Sequence, residues 1–293
     1  MNKKQTEIVE IITPNKYVHH GLWVGPQKSK RVFINIHGLT SNLFSADKLY
    51  PLVDAETAVL TFNNRGHDIV SKLKRLNQEN PKGYDSELAG TAHEVFEDCV
   101  DDLEGAVQLC HTQGVKEVYL VGHSTGCQKS IFYLSKIKNK QNVSGVVLLC
   151  PLSDYASVHL VADKIIYENA LRFARAEVKN GRPKTLLSEK YWPRELINAQ
   201  RFLSLYTSES SEEIFTYSHD KEPEAFQSVL TPTLVILAGA DEYGERPAKK
   251  IQFWFDSNKK SQYYKSIVVE NAMHNLKGFE EEVCREIKDW ISK

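Results

Sequence analysis

Two runs in the chain, residues 146–150 (VVLLC) and 234–238 (LVILA), contain no polar side chain. A strand with one wet face alternates apolar and polar residues, so a continuously apolar strand needs cover on both faces, and parallel sheets sandwiched between helices provide that cover. The rest of the chain agrees. Further β-rich runs at residues 17–24, 30–38, 58–64, 117–123 and 263–270 join strands over 143–150 and 231–239, and they alternate with longer helical patterns. That alternation predicts an α/β fold, a mostly parallel central sheet flanked by helices. Helical periodicity is plainest over residues 92–114, where Val95, Cys99, Leu103 and Val107 recur four apart and Gly114 stands at a C-cap position. On that assignment Glu97, Asp98, Asp101 and Asp102 fall mainly on the exposed side of the helix.

Residues 152–230 form the longest interval between expected strands, too long for a bare connection. Its stretches 164–181 and 193–206 read as helices, which predicts a helical cap insertion (152–230) above a core built from residues 1–151 and 231–293. Tyr155, Tyr167, Phe173, Tyr191, Trp192, Phe202 and Tyr206 are placed either to line a pocket beneath that cap or to pack its own core, the commoner fate of aromatic residues.

Composition narrows the function classes. The 293 residues carry a formal net charge of −1, so no basic surplus argues for nucleic acid or another polyanion. The lysines near the amino terminus precede no apolar stretch, and no run approaches membrane-spanning length, so no membrane insertion is expected. Cys99, Cys110, Cys127, Cys150 and Cys284 are odd in number and lack metal-ligand spacing; reduced thiols in a cytoplasmic protein are the simplest account. No metal site and no organic cofactor is called for.

The segment 118–130 (VYLVGHSTGCQKS) places Ser124 between Gly122 and Gly126, after a strand and before a helical stretch expected to run through residue 138. G-x-S-x-G at a strand-to-helix turn presents a hydroxyl outward, with a helix amino terminus beside it to favour developing negative charge. A serine hydroxyl needs a neighbouring base, itself oriented by a carboxylate. Asp241 follows the strand over 231–239 and His274 follows the strand over 263–270. The order Ser124, Asp241, His274 is that of nucleophile, acid and base in one sheet-borne triad. Glu242 and Asp154 are alternatives for the acid. Cys127, nearly one helical turn beyond the serine, is an alternative nucleophile that reads better as a small buried apolar residue. For the oxyanion, the loop after the strand over 30–38 offers the Leu39 N–H, to act with that of Thr125; Gly38 gives the loop freedom, and His37 holds it. His37 is in the wrong chain position to be the base.

Through HGLTSN, NNRGHD, GHSTG and MHN the chain resembles the α/β-hydrolase superfamily from its first strands to its last helix, with serine esterases and lipases among its members. The longer string GHSTGCQ is similar to a branch related to fungal siderophore-ester hydrolases. In NNRGHD, similar to a turn of many esterases, the resemblance implies an anchoring role for Arg65, while Asp68 departs from the glycine that commonly ends it. The expected activity is hydrolysis of a small-molecule carboxylic ester through an acyl-enzyme. Thioesterase and acyltransferase chemistry can use the same triad, and a ligand-binding or receptor-like protein with little turnover is the alternative of another class.

Overall fold

The computed structural model describes residues 4–137 and 142–292, so the chain ends and residue 138 of the expected helix lie outside the described residues. Six strands form the parallel part of one sheet, in the order β10 (Tyr264–Val269), β9 (Thr233–Ala238), β8 (Gly145–Leu149), β7 (Glu117–His123), β3 (Arg31–Ile36) and β4 (Thr57–Phe62). Antiparallel strands extend it from β4: β2 (Tyr17–Val24), then β5 (Ser71–Leu76) and β6 (Tyr84–Ala89), with β1 (Thr6–Ile12) pairing β2.

The apolar runs are explained by the two-residue period of a strand. Val146 and Leu148 join one cluster with Leu103 and Val107 of α1 (Cys99–Thr112) and Ile131 of α2 (Thr125–Lys136). Val147 and Leu149 face the opposite cluster, with Val283, Ile287 and Trp290 of α8 (Glu280–Ile291) and Ala46, Leu49 and Leu52 of a 3₁₀ helix, Leu43–Leu52. At β8 both faces of the sheet are dry, so neither residue parity is polar there.

Asp101 and Asp102 depart from the expectation of an exposed acidic face: both are buried. The β1–β2 hairpin and Arg65 cover that side of α1. Asp102 Oδ1 lies 2.8 Å from His19 Nε2 and 2.6 Å from Arg65 Nη2, and Asp101 Oδ2 takes a 2.9 Å bond from the same guanidinium nitrogen. Burial alone would raise the Asp102 carboxyl, but His19 and Arg65 outweigh it and hold it well below the usual carboxylate range. The helix also starts later than its periodicity suggested, at Cys99, after a single 3₁₀ turn Phe96–Asp98.

Between β8 and β9 lie α3 (Asp154–Val161), α4 (Lys164–Lys179), α5 (Ala199–Tyr206) and the short α6 (Glu224–Gln227). Helix α5 is shorter than expected because it starts where the Asn198 side chain accepts from Arg201 N–H, a side-chain cap. Tyr167, Ala170, Trp192, Phe202 and Tyr206 make a separate apolar cluster in this interval, whereas Phe215, Tyr217 and Phe226 join the sheet-side cluster.

A buried ionic group connects α5 to α2. Glu94 pairs with Lys129 at 2.5 Å and with Arg201 at 2.8 Å, and Arg201 also pairs with Glu212. Removing one member strands the others in a medium that solvates charge poorly. Arg201→Met should therefore lower unfolding free energy by about 3–5 kcal/mol in urea titrations; a loss no larger than that of a typical surface substitution would refute the role.

Glu213 predicts a pH dependence. Its carboxylate accepts from Ser153 Oγ at 2.7 Å and lies 3.1 Å from His219 Nε2, and burial pushes its pKa up to about 8, against the pull of the Ser153 bond and Lys221. The unfolded chain releases this proton near a glutamate's ordinary pKa of about 4.3, while the folded chain still holds it. The stabilisation is therefore complete at acid pH and is lost as pH rises to about 8. Thermal melts of Glu213→Gln should show a shallower fall in Tm from pH 5 to 8 than wild type; parallel profiles would disprove the contribution.

Candidate active site

Strand register brings the chemistry-bearing loops to one edge. Ile36 of β3 is paired with Gly122 of β7, His123 with Leu149 of β8, and Ala238 of β9 with Val269 of β10, so the loops that follow these strands emerge side by side at their carboxyl ends. Ser124 lies at the β7–α2 junction with φ 55° and ψ −127°, a conformation that non-glycine residues hold only under tertiary constraint. The flanking glycines show how tight the turn is. A Cβ on Gly122 would come 2.4 Å from the Gly126 carbonyl oxygen, and a Cβ on Gly126 would come 2.0 Å from that of Ile36.

His274 is in the loop after β10, and its Nδ1 is 2.8 Å from Asp241 Oδ2 in the loop after β9. Both alternatives for the acid sit elsewhere. Glu242 accepts the backbone N–H of His274 at 2.9 Å, and Asp154 accepts from Gln128 Nε2 at 2.8 Å. His123, which no sequence argument singled out, braces the loop: its Nε2 lies 2.9 Å from the His274 carbonyl oxygen and its ring centroid 5.2 Å from the His274 ring. Burial, then nearby Lys48 and His274, pull its pKa well below the usual value, so the neutral ring presents an N–H to that carbonyl. The only sequence signal for this was its place as the first variable residue of GHSTG.

The expected oxyanion loop passes directly over the serine. A Cβ on Gly38 would lie 2.9 Å from Ser124 Cβ, which side chains cannot reach without displacement. Leu39 lines the same pocket as Ser124, and Thr125 is the first residue of α2, where helical N–H groups lack intrahelical partners. His37 is buried with Nδ1 3.0 Å from the Gly38 carbonyl oxygen, and burial lowers its pKa to about 3. NNRGHD fixes the loop from the other side. Asn63 Oδ1 accepts from Leu43 N–H at 2.8 Å, and Asp68 accepts from Asn42 Nδ2 at 2.8 Å while donating its own N–H to Ser41 at 2.9 Å. Asp68 adopts φ 55°, the left-handed conformation for which glycine is the default, and these bonds hold it there. Arg65 faces the buried aspartates, as an anchor would.

Ser124 and His274 line one pocket of about 460 Å³, walled by Leu39 on the loop side and by Val158, Val161 and Tyr206 from α3 and α5. Of the seven aromatic residues named as pocket or core, Tyr206 reaches this pocket; Tyr167, Trp192 and Phe202 are buried in the helical cluster. Cys127 is fully buried with Sγ 3.2 Å from the Gly122 carbonyl oxygen, and burial raises its thiol pKa far above the ordinary value, which suits no nucleophile. Cys150, Asp241 and His274 bring potential metal-ligand atoms within 4.8 Å of one another. As a donor set they fit a metal poorly: Asp241 and His274 are spent on each other, and burial holds the Cys150 thiol protonated. All five cysteines are unpaired and buried.

The family model described as "Protein of unknown function (DUF1749)" matches residues 82–292. No curated protein matches the sequence. Among solved structures, an esterase of Pyrococcus furiosus is 17% identical with a TM-score of 0.60, over 99% of this chain and 91% of that one. An α/β-hydrolase of a Penicillium species is 14% identical with a TM-score of 0.68, over 98% of both chains. A soluble variant of the Saccharomyces cerevisiae monoglyceride lipase, solved with a substrate analogue, is 14% identical with a TM-score of 0.67, over 99% of this chain and 97% of that one. With six parallel strands, flanking helices and a serine turn at the sheet's carboxyl edge, this chain has the α/β-hydrolase fold, and it belongs to the DUF1749 family.

Proposed function

We propose that the protein is a serine hydrolase that cleaves a small-molecule carboxylic ester through an acyl-enzyme. The observation that carries this reading is the 2.8 Å Asp241–His274 pair, whose histidine lines the same pocket as a serine held at a strained strand-to-helix turn. His274 takes the Ser124 proton as the hydroxyl oxygen attacks the substrate carbonyl, and the N–H groups of Leu39 and Thr125 receive the negative charge that forms on the carbonyl oxygen. The tetrahedral species collapses with expulsion of the alcohol, which takes the proton from His274. Water then repeats the sequence on the acyl-enzyme, releasing the acid and restoring Ser124. Asp241 orients the imidazole and stabilises its charged form. The names of the similar structures, an esterase and a monoglyceride lipase, support ester substrates.

In the same reading residues 152–230 act as a cap on the core of residues 1–151 and 231–293, with α3 and α5 supplying the pocket wall opposite the oxyanion loop. Among the described residues no helix is long and apolar enough to cross a membrane. Five unpaired thiols suit a reducing compartment, so a cytoplasmic location is part of the proposal.

Three measurements bear on the chemistry. A serine-directed fluorophosphonate should label wild-type protein at Ser124 and leave Ser124→Ala unlabelled; an unlabelled wild type would favour a binding protein over an enzyme. Asp241→Asn should lower kcat by about 10⁴, as removal of the orienting carboxylate does in comparable triads. A larger loss from Asp154→Asn or Glu242→Gln would show the acid to be elsewhere. For the cap, Val161→Trp narrows the pocket from the α3 side, so p-nitrophenyl esters of graded acyl length should lose kcat/KM progressively with length while the acetate changes least. A uniform loss across the series would remove α3 from acyl selection.

A further inference from the structure

The mechanism leaves one charged group of the pocket without a task. Lys48 lies in the 3₁₀ helix Leu43–Leu52, where residues three apart share a face, and Ser45 and Lys48 both line the pocket that holds Ser124. Its neighbours fix it in place: Ala46 and Leu49 are fully buried, and the Lys48 carbonyl oxygen accepts from Cys284 Sγ at 3.2 Å. Lys48 is only 8% exposed, and its ammonium forms no hydrogen bond and no ion pair among the described residues.

The other charged side chains of the pocket are engaged. Arg194 donates to the Val161 carbonyl oxygen at 2.7 Å, Asp154 accepts from Gln128, and Glu195 accepts from Trp192 Nε1 at 2.8 Å and from Tyr206. An ammonium at the end of a largely buried side chain and without a counterion is costly, and an anion beside it would offset that cost. Burial accordingly lowers the pKa of Lys48, and the nearby carboxylates of Asp47 and Glu280 act against it. The side chain also lies beside the candidate reacting centre, because Lys48 lines the same pocket as His123, Ser124 and His274.

We infer that Lys48 is a specificity residue that receives an anionic group of the substrate, so that the ester cleaved carries a carboxylate or a similar anion close to its scissile bond. This rests on the ester-hydrolase reading and deepens it. A carboxylate on the acyl side and one on the alcohol side present the same chemistry to the ammonium.

Matched pairs of esters separate the two. For the acyl side, p-nitrophenyl hydrogen glutarate is compared with its neutral methyl diester; for the alcohol side, para-acetoxybenzoate is compared with its methyl ester, all corrected for spontaneous hydrolysis. Turnover of the neutral esters by wild type but not by Ser124→Ala tests the hydrolase reading by itself. Given that turnover, wild type should favour the anionic member of at least one pair by about tenfold in kcat/KM, the scale of a charge-assisted hydrogen bond. Lys48→Met should abolish that preference mainly through KM, and Lys48→Arg should retain most of it. Equal rates within both pairs for wild type, or a preference that survives in Lys48→Met, would overturn the assignment. If Lys48→Met does not fold, competitive inhibition of wild type by glutarate, weakened by Lys48→Gln, carries the same decision, and no inhibition by glutarate overturns it.

Discussion

The closest constraint in the molecule is between two stretches of backbone. Any side chain on Gly126 would lie 2.0 Å from the Ile36 carbonyl oxygen, so α2 can begin only where a glycine lets it pass across the end of β3. That contact sets the rest of the site. It brings the helix amino terminus against the loop that carries Gly38 and Leu39, and in the same turn Ser124 adopts a positive φ of 55°. The serine is thus held between the end of one strand and the start of one helix, with the Gly38 loop against its Cβ. Hydrophobic packing supplies the energy for this strain: the strands beside the turn are buried on both faces, and their clusters extend into α1, α2 and α8.

Charge does similar work at longer range. Lys129, on the helix that follows Ser124, meets Glu94, which also holds Arg201 of α5. Leu39 packs partly against the apolar cluster of the same helical segment. The segment between β8 and β9 is therefore coupled to the site twice, through a buried ionic group behind α2 and through the Leu39 loop in front of it. Buried ion pairs contribute little net stability compared with apolar residues of the same shape. Their effect here is geometric, because each partner tolerates few other positions.

How much of this was legible in the sequence follows from which signals were local. The turn at Ser124, the loop at Gly38 and the strands that end before Asp241 and His274 declare themselves through apolar runs and small residues, and β2 and β7 fall on their expected bounds. Strands β1, β5 and β6 were not legible: β1 is largely exposed and its short apolar pairs are broken by Glu10, and the β5–β6 hairpin carries many charges. The buried Asp101 and Asp102 were misread for a related reason. Helical periodicity counts apolar residues, but here the covering surface is Arg65 and His19, distant in sequence and polar themselves. His123 and Lys48 gave no signal because their roles depend on what lies across the pocket.

The choice between Asp241 and Asp154 shows why chain position alone was insufficient. Both follow a strand of the parallel sheet, at β9 and β8 respectively, and Asp154 lines the pocket. An orienting acid must be ionised to stabilise an imidazolium. At Asp154 burial disfavours the charge, and Glu212, Glu213 and Glu195 add to that effect against a single opposing Arg201, so its pKa is driven far above the ordinary carboxyl value. A carboxyl kept neutral there accepts from Gln128 and leaves the α3 wall of the pocket free of net charge. Asp241 instead meets the imidazole directly, and its other oxygen accepts the Tyr243 N–H at 3.0 Å, which holds the carboxylate plane toward His274. The two aspartates share a residue type and a topological position, and their surroundings set one against the His274 imidazole and the other in the pocket wall.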